Sequence, residues 1–365
     1  MTLERVTILG TGLIGASLGL AAGARGLAVR GWDPDPEALA VAVQRRAVVA
    51  AASLAESLAD AELVVVAAPV AALPRQVAAV LAETGERVTV TDVGSTKASV
   101  VAAAAACGRF VGGHPIAGSE ARGAENASAG LFEGATWFLT PTPETDPERH
   151  RLVHGFVADL GAFPLAIDPE SHDRLVALIS HLPHVLANLL VNRAGEQRVA
   201  GHEPLASAGG SLRDMTRIAG ANPRMWTDVL LDNAEAVRAE LAELRVRLAA
   251  VEAALEQGDS DFIAALIGEA ARNRRRMLEQ SFPDAGALHR VSVHVADQPG
   301  VFAAITQAFG AERINIEDFG LEHISPERGG TVTLLVTGAD QARRAKELLE
   351  RQGYRVAVSA VLDED

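Results

Sequence analysis

Three glycine-rich segments of this chain carry residue types that can move a hydride and a proton. Gly10-Thr11-Gly12-Leu13-Ile14-Gly15 follows an apolar run at 6–9 and precedes a stretch of helical spacing at 16–24. A G-x-G-x-x-G sequence arises easily by chance in a chain holding 33 glycines. Between a strand and a helix, however, it is the fingerprint of a dinucleotide site. Gly10 permits the tight turn, Gly12 lets the backbone approach a pyrophosphate, and Gly15 lets the helix lie close on the sheet. The phosphates would then meet the free N–H groups at Leu13 and Ile14, where the helix dipole favours an anion. Asp33 closes the next strand. A carboxylate there accepts hydrogen bonds from ribose hydroxyls and repels a 2′-phosphate, so NAD is expected over NADP. Arg30 precedes the strand end and is not placed to hold that phosphate.

The second segment is Asp92-Val93-Gly94-Ser95-Thr96-Lys97, at the end of the apolar run 88–91. Open α/β sheets bind ligands at that edge. Ser95 also reads as a helix N-cap. The third is Gly112-Gly113-His114-Pro115-Ile116-Ala117-Gly118-Ser119-Glu120. A histidine at a strand end can bond a substrate hydroxyl and take its proton, with a pKa near working pH.

Two further segments lie downstream. Ser180-His181-Leu182-Pro183-His184 pairs two histidines. No carboxylate or thiol stands beside them at ligand spacing, and the pattern is not H-E-x-x-H, so no metal is expected. Ser211-Leu212-Arg213-Asp214-Met215-Thr216-Arg217 is followed by Asn222-Pro223-Arg224-Met225-Trp226. An arginine there can clamp a carboxylate bidentately. The alternative is an Arg–Asp surface pair of small energy.

The elements around these segments fall into three textures. Over residues 1–168, β-branched runs at 6–9, 28–32, 63–67, 88–91, 110–112, 136–139 and 163–167 alternate with helical spacing. That alternation predicts a parallel, doubly wound α/β sheet. Over 169–284 the strand signal vanishes, and stretches near 172–199, 223–256 and 259–280 carry apolar residues three and four apart. These helices ask for more partner surface than one chain offers, which predicts a homodimer. Over 288–365 the order becomes βαββαβ, with strands at 289–295, 314–319, 331–336 and 355–360 and helices at 301–309 and 341–351. This is a ferredoxin-like unit.

Composition narrows the function classes. The formal charge of −14 argues against nucleic acid as the main partner, though not against anionic small molecules, which need only a local patch. The single cysteine, Cys107, rules out an internal disulfide and a thiolate cluster, and fits a reducing cytoplasm. No run reaches the ~20 apolar residues of a membrane span, and the N-terminus enters a strand-like segment without a signal pattern. Only Lys97 and Lys346 are lysines among 33 basic residues, which reads as coding bias.

Taken in order, GTGLIGAS, DVGSTK, GGHPIAGSE, SHLPH and RDMTRIAGANPRMW resemble the prephenate/arogenate dehydrogenase family over residues 5–280. VSVHVADQPGVFAAI and INIEDF resemble an ACT domain, found in a subset of that family. The resemblance implies a Rossmann-type NAD domain, an all-helical substrate and dimerisation domain, and an ACT regulatory domain. It implies oxidation of prephenate in tyrosine biosynthesis, or of arogenate, whose side chain carries an amine. It implies that His114 is the base, that Ser95 orients the hydroxyl and His114, and that His181 lines the substrate pocket. Arg217 would bind a substrate carboxylate, and Glu120, Asp214 and Trp226 would belong to the pocket or its gating shell. Tyrosine is the expected effector, with Asp297, Gly300 and Asn315 as its contacts: the 297–300 turn precedes a helix N-terminus suited to a carboxylate. A β-hydroxyacid dehydrogenase shares the two-domain plan but not GGHPIAGSE or SHLPH. A non-catalytic nucleotide-sensing regulator would not need His114, Ser95 and Arg217 together.

Overall fold

A computed structural model describes residues 3–117, 121–281, 287–325 and 329–361. It parts into two compact units, Met1–Val246 and Arg247–Asp365.

The first unit opens with β1 (Arg5–Leu9), α1 (Leu13–Ala24), β2 (Ala28–Trp32), α2 (Pro36–Gln44), β3 (Val49–Ala50), α3 (Leu54–Leu58) and β4 (Leu63–Val66). It continues through α4 (Leu73–Glu83), β5 (Thr89–Asp92), α5 (Ala98–Ala103), β6 (Phe110–Pro115), β7 (Thr136–Thr140), α6 (Pro147–Asp159) and β8 (Phe163–Ala166). The eight strands form one sheet in the order β3-β2-β1-β4-β5-β6-β7-β8. β4 is buried along its whole length, as a central strand covered on both faces must be. Val6 and Ile8 of β1 point to the side covered by α1 and α6, and Leu9 to the side covered by α4 and α5. The strands from β3 to β6 are parallel. β7 runs antiparallel to β6, and β8 runs parallel to β7. The parallel, doubly wound sheet expected from sequence is thus present from β3 to β6, and β7 with β8 extends it as a reversed pair at one edge. The connection from β6 to β7 has only a single 3-10 turn, Ala124–Asn126, among its described residues. Without a crossover helix the chain returns in the opposite direction.

The strand order reverses direction between β1 and β4. The chain leaves β1 and β4 toward opposite flanks of the sheet, which opens a crevice at their carboxyl ends. Because β1, β4, β5 and β6 are parallel, the segments after β1 and β5 and the end of β6 share that edge.

Helices follow: α7 (Pro169–Val176), a π-helical turn (Ala177–His181), α8 (Leu182–Glu196), α9 (Gly210–Thr216), α10 (Pro223–Asp232) and α11 (Ala234–Gln257). Asp168 caps α7, its side chain accepting from the Ser171 N–H at 2.9 Å. Pro183 explains the π turn. It has no N–H to give the preceding helical turn, so the chain rewinds just before it. The continuous run Pro169–Glu196 has the length and mean hydropathy that a membrane span needs, although polar residues interrupt it throughout. It turns the buried His172, Asp173 and His181 into a polar network and leaves Leu178, Ile179 and Leu189 exposed on its other side.

The division between the units falls within α11. The second unit contains α12 (Ser260–Ser281), β9 (Leu288–Val295), α13 (Val301–Ala311), β10 (Asp318–Ser325), β11 (Gly329–Thr337), α14 (Ala339–Arg351) and β12 (Arg355–Ala360). The sheet order is β10-β11-β9-β12, all antiparallel, giving the expected βαββαβ unit. Its core is built from alternating residues of β9 and β11 against Ile305, Phe309, Ala345 and Leu349 of the two helices. The strand expected at 314–319 begins only at Asp318. Ile314 is instead a buried anchor in the preceding turn, after Arg313 at φ 54°.

Candidate active site

The nucleotide loop is built as its glycines require. Gly10 has φ +95°, and a Cβ there would lie 2.1 Å from the Ala67 carbonyl oxygen at the end of β4. A Cβ on Gly15 would lie 1.9 Å from the Gly10 carbonyl oxygen. Gly12 faces open space instead, and it caps α1 without any side-chain hydrogen bond. The helix start at Leu13 and Ile14 thus offers N–H groups to a ligand, and the residues fit a dinucleotide pyrophosphate. Asp33 stands beside the loop. Its Oδ2 accepts from Thr11 N at 2.6 Å and Thr11 Oγ1 at 3.2 Å, and its Oδ1 from Asp35 N at 2.9 Å. The carboxylate therefore braces the loop it is expected to serve.

At the same edge lies a buried polar network. Lys97 and Asp92 are fully buried and paired. Lys97 Nζ also donates to the Gly113 carbonyl at 2.7 Å. Asp92 accepts from Gly94 N at 2.8 Å and from Gly113 N at 3.1 Å. Burial pushes the Lys97 ammonium below its ordinary value, and the Asp92 charge opposes that shift. The pair fixes the end of β6, where His114 stands.

Ser95 is not the N-cap of α5. That helix begins at Ala98, and its first N–H groups are capped from another helix: Asp173 of α7 accepts from Lys97 N and Ala98 N, each at 2.8 Å. Ser95 stays half-buried within the loop between Asp92 and Lys97.

His114 Nδ1 lies 2.9 Å from Nε2 of the fully buried His172, whose Nδ1 lies 2.8 Å from Asp173 Oδ1. Desolvation, and then the nearby His172, Lys97 and His181, hold the His114 pKa well below the ordinary histidine value. Desolvation thus favours the neutral ring, the form a base needs, and moves the pKa below the value near working pH that the sequence suggests. His181 is also buried, and burial brings it to about 4 against the opposing charge of Asp173. Asn233 Nδ2 donates to the Asp173 carbonyl at 2.8 Å and stands 3.2 Å from His181 Nδ1. The Trp226 ring stacks on His184 at 3.5 Å and meets His181 edge-on at 5.9 Å.

The network gathers Asp92, Lys97, His114, His172, Asp173, His181 and Asn233, with Trp226 at its side. Arg217 and Asp214 are exposed at the end of α9, and neither bonds to the two histidines. Glu120 lies outside the described residues. In the second unit Gly300 has φ +88° at the start of α13, which has no side-chain cap, and Asp297 is exposed in the turn before it. Asn315 lies in the turn before β10, where its amide donates to Glu317 Oε1 at 2.8 Å. His172, Asp173 and Asn233 escaped the sequence reading. Their one signal was a His-Asp dipeptide turned inward on an otherwise ordinary helix.

A doubly wound sheet with a glycine loop at its switch point, and a neutral histidine on the same edge, defines a dinucleotide-dependent dehydrogenase. Family models match three stretches: prephenate dehydrogenase, nucleotide-binding domain, over 18–164; prephenate dehydrogenase, dimerization domain, over 168–269; and ACT domain over 289–353. The chain is 30% identical over 360 residues to the prephenate dehydrogenase of Bacillus subtilis (strain 168), spanning 95% of this chain and 96% of that one. Prephenate dehydrogenase from A. aeolicus, solved with hydroxyphenyl propionate and NAD+, superposes with a TM-score of 0.71 at 30% identity, covering 76% of this chain and 99% of that one. Synechocystis arogenate dehydrogenase gives 0.69 at 28% identity, covering 75% and 100%. This chain belongs to the prephenate dehydrogenase family.

Proposed function

We propose that the chain catalyses the NAD-dependent oxidative decarboxylation of prephenate to 4-hydroxyphenylpyruvate. The observation that carries this reading is His114: a histidine kept neutral by burial, at the strand edge that also bears the nucleotide loop. When bound, the nicotinamide supplies the hydride acceptor. His114 takes the proton of the ring hydroxyl as the hydride leaves the same carbon. The dienone so formed is a vinylogous β-keto acid. Its ring carboxylate leaves as CO2, the bonding pair flows into the ring, and the ring becomes aromatic. His114 returns its proton to the phenolate oxygen, so the enzyme ends as it began. Ser95, in the adjoining loop, orients the hydroxyl. His181 and Trp226 line the pocket, and Asp214 belongs to its outer shell. Arg217 is exposed and forms no ion pair among the described residues, which leaves its planar fork available to a substrate carboxylate. The protein's contribution is positioning and electrostatics.

The test is NADH absorbance with prephenate and, separately, with arogenate. A kcat/KM at least tenfold higher for prephenate is expected. The reverse order would make the chain an arogenate dehydrogenase.

Cofactor choice rests on Asp33. NAD+ should be preferred over NADP+ by well over ~10-fold, about 1.4 kcal/mol or more. Asp33→Ser should narrow that gap. It should also weaken both cofactors, because Asp33 braces Thr11 N. Equal kcat/KM for NAD+ and NADP+ in the unmutated protein would show that Asp33 does not select.

Dimer formation fits the exposed apolar side chains. In the first unit Leu178, Ile179 and Leu189 are exposed on the helical run, and in the second Leu255 and Ile267 are. A cytoplasmic enzyme with its cysteine reduced completes the reading. For the second unit the proposed ligand is tyrosine, with its carboxylate at the start of α13 near Asp297 and Gly300. The Asn315 amide would have to leave Glu317 to join it. Leu278 on α12 packs with Leu288 on β9, so cutting the chain between them would expose both. A point change is the cleaner test. Gly300→Val places a β-branched residue at φ +88°. It should raise the tyrosine concentration for half-inhibition by about tenfold or more, the scale of a ~1–3 kcal/mol coupling. Equal inhibition of both proteins would place tyrosine in the active site.

A further inference from the structure

The two histidines of the site stand at opposite ends of one buried network, and the network decides where each ring carries its proton. Three donors meet the Asp173 carboxylate: Lys97 N and Ala98 N at 2.8 Å, and His172 Nδ1 at 2.8 Å. A carboxylate only accepts, so His172 bears a proton on Nδ1. In a neutral ring that leaves His172 Nε2 bare. It lies 2.9 Å from His114 Nδ1, which must then be the donor. The lone pair of His114 is thereby placed on Nε2, the nitrogen not used by the network. An imidazolium at 172 would reverse this bond and leave His114 Nε2 protonated, unable to accept anything. The arrangement therefore requires the His172–His114 bond to run from His114 Nδ1 to His172 Nε2.

The other end is fixed by Asn233, the residue between α10 and α11. Its amide nitrogen lies 2.8 Å from the Asp173 carbonyl oxygen. That oxygen only accepts, so the amide orientation is dictated by chemistry and not by convention. The same NH2 group meets His181 Nδ1 at 3.2 Å. Nδ1 is therefore the bare nitrogen, and His181 carries its proton on Nε2.

We propose that Asp173, acting through His172 and Asn233, holds the two histidines in opposite tautomers. His114 presents a bare Nε2 as proton acceptor, and His181 presents Nε2–H as donor to a substrate oxygen. His172, Asp173 and Asn233 are positioning residues. This inference rests on the dehydrogenase reading above. The arrangement accounts for a feature that packing alone leaves unexplained: a His-Asp pair buried in a helix whose other inward residues are apolar. It also ties acid–base chemistry to the nucleotide edge, since the carboxylate that orders His172 is the one that caps α5. The groups facing His114 are His172 from α7, Lys97 from the loop before α5, and His181 from the π turn. Those facing His181 are Asp173, His172 and His184.

The deciding experiment is two-bond 1H–15N correlation spectroscopy on the full-length, unliganded chain with 15N-labelled histidine, near pH 8. His114 and His181 are assigned by His114→Asn and His181→Asn. Nδ1 of His114 and Nε2 of His181 should show protonated-type shifts, and their partners bare-type shifts. Both rings in the same tautomer, or His114 bare at Nδ1, would overturn the proposal. No substrate enters this measurement, so its outcome stands apart from whether the chain oxidises prephenate. Kinetics give the second arm. His172→Leu should lower kcat by roughly 10²–10⁴-fold, the range for a lost base or a mis-set tautomer. KM for prephenate and the Kd for NAD+ should stay within about threefold, a change worth under ~1 kcal/mol. His172→Gln has an oxygen to accept from His114 and an amide to donate to Asp173, so it should recover part of kcat. If Gln is no better than Leu, and kcat falls only in step with stability, His172 is merely structural.

Discussion

Replacing His114 with Asn is expected to lower kcat by roughly two to four orders of magnitude, the usual consequence of losing a general base. NAD+ binding should be unchanged, because the glycine loop and Asp33 are separate from β6. Prephenate binding should change little, because the amide keeps a polar group at the same place. The pH profile carries the sign of the argument. The unmutated enzyme is active with His114 neutral, and protonation removes activity. Burial, reinforced by His172, Lys97 and His181, lowers the pKa well below the ordinary 6.5. The acid limb of kcat/KM should therefore lie below pH 6.5, with activity flat through neutrality. The mutant should lack that limb. A limb retained in His114→Asn would assign the proton to another group.

The second large effect is on stability. Lys97→Met removes the ammonium from a fully buried pair and leaves the Asp92 carboxylate facing apolar surroundings. Breaking one partner of a buried pair typically costs about 3–5 kcal/mol. For the first unit, Met1–Val246, that lowers Tm by roughly 6–10 °C. The carbonyl of Gly113 loses its donor too, so the end of β6 should loosen and kcat should fall with stability. Adding Asp92→Asn to Lys97→Met should restore part of the loss, because the orphaned charge is gone. Scanning calorimetry on the three proteins measures this. A drop of less than 2 °C for Lys97→Met would mean the pair does not hold the site.

Much of this was legible in the sequence because the signals are local. A glycine loop between an apolar run and a helical stretch announces its own turn, and the strands of the nucleotide domain stand where their β-branched runs stand. The direction of β7 and β8 was not legible. A strand reads the same in either direction, and what reverses them is a connection without a crossover helix. Asn233 looks like an ordinary helix cap, and it is one, closing α10. Its second role, between Asp173 and His181, depends on three elements far apart in sequence. The partners of Lys97, one of two lysines among 33 basic residues, were not legible either: its compact ammonium fits between a carboxylate and a carbonyl from different strands. A guanidinium would not share that fit. Arg217 remains an inference from its motif, since among the described residues it makes no polar contact within the network.

The most direct measurement is the stoichiometry of turnover with prephenate and NAD+. NADH, CO2 and 4-hydroxyphenylpyruvate should appear in equal amounts from the unmutated protein, and His114→Asn should form about a hundredth of those amounts or less on the same time scale. NADH without CO2, or no NADH from prephenate between pH 6 and 9, would contradict the assignment of this site to oxidative decarboxylation.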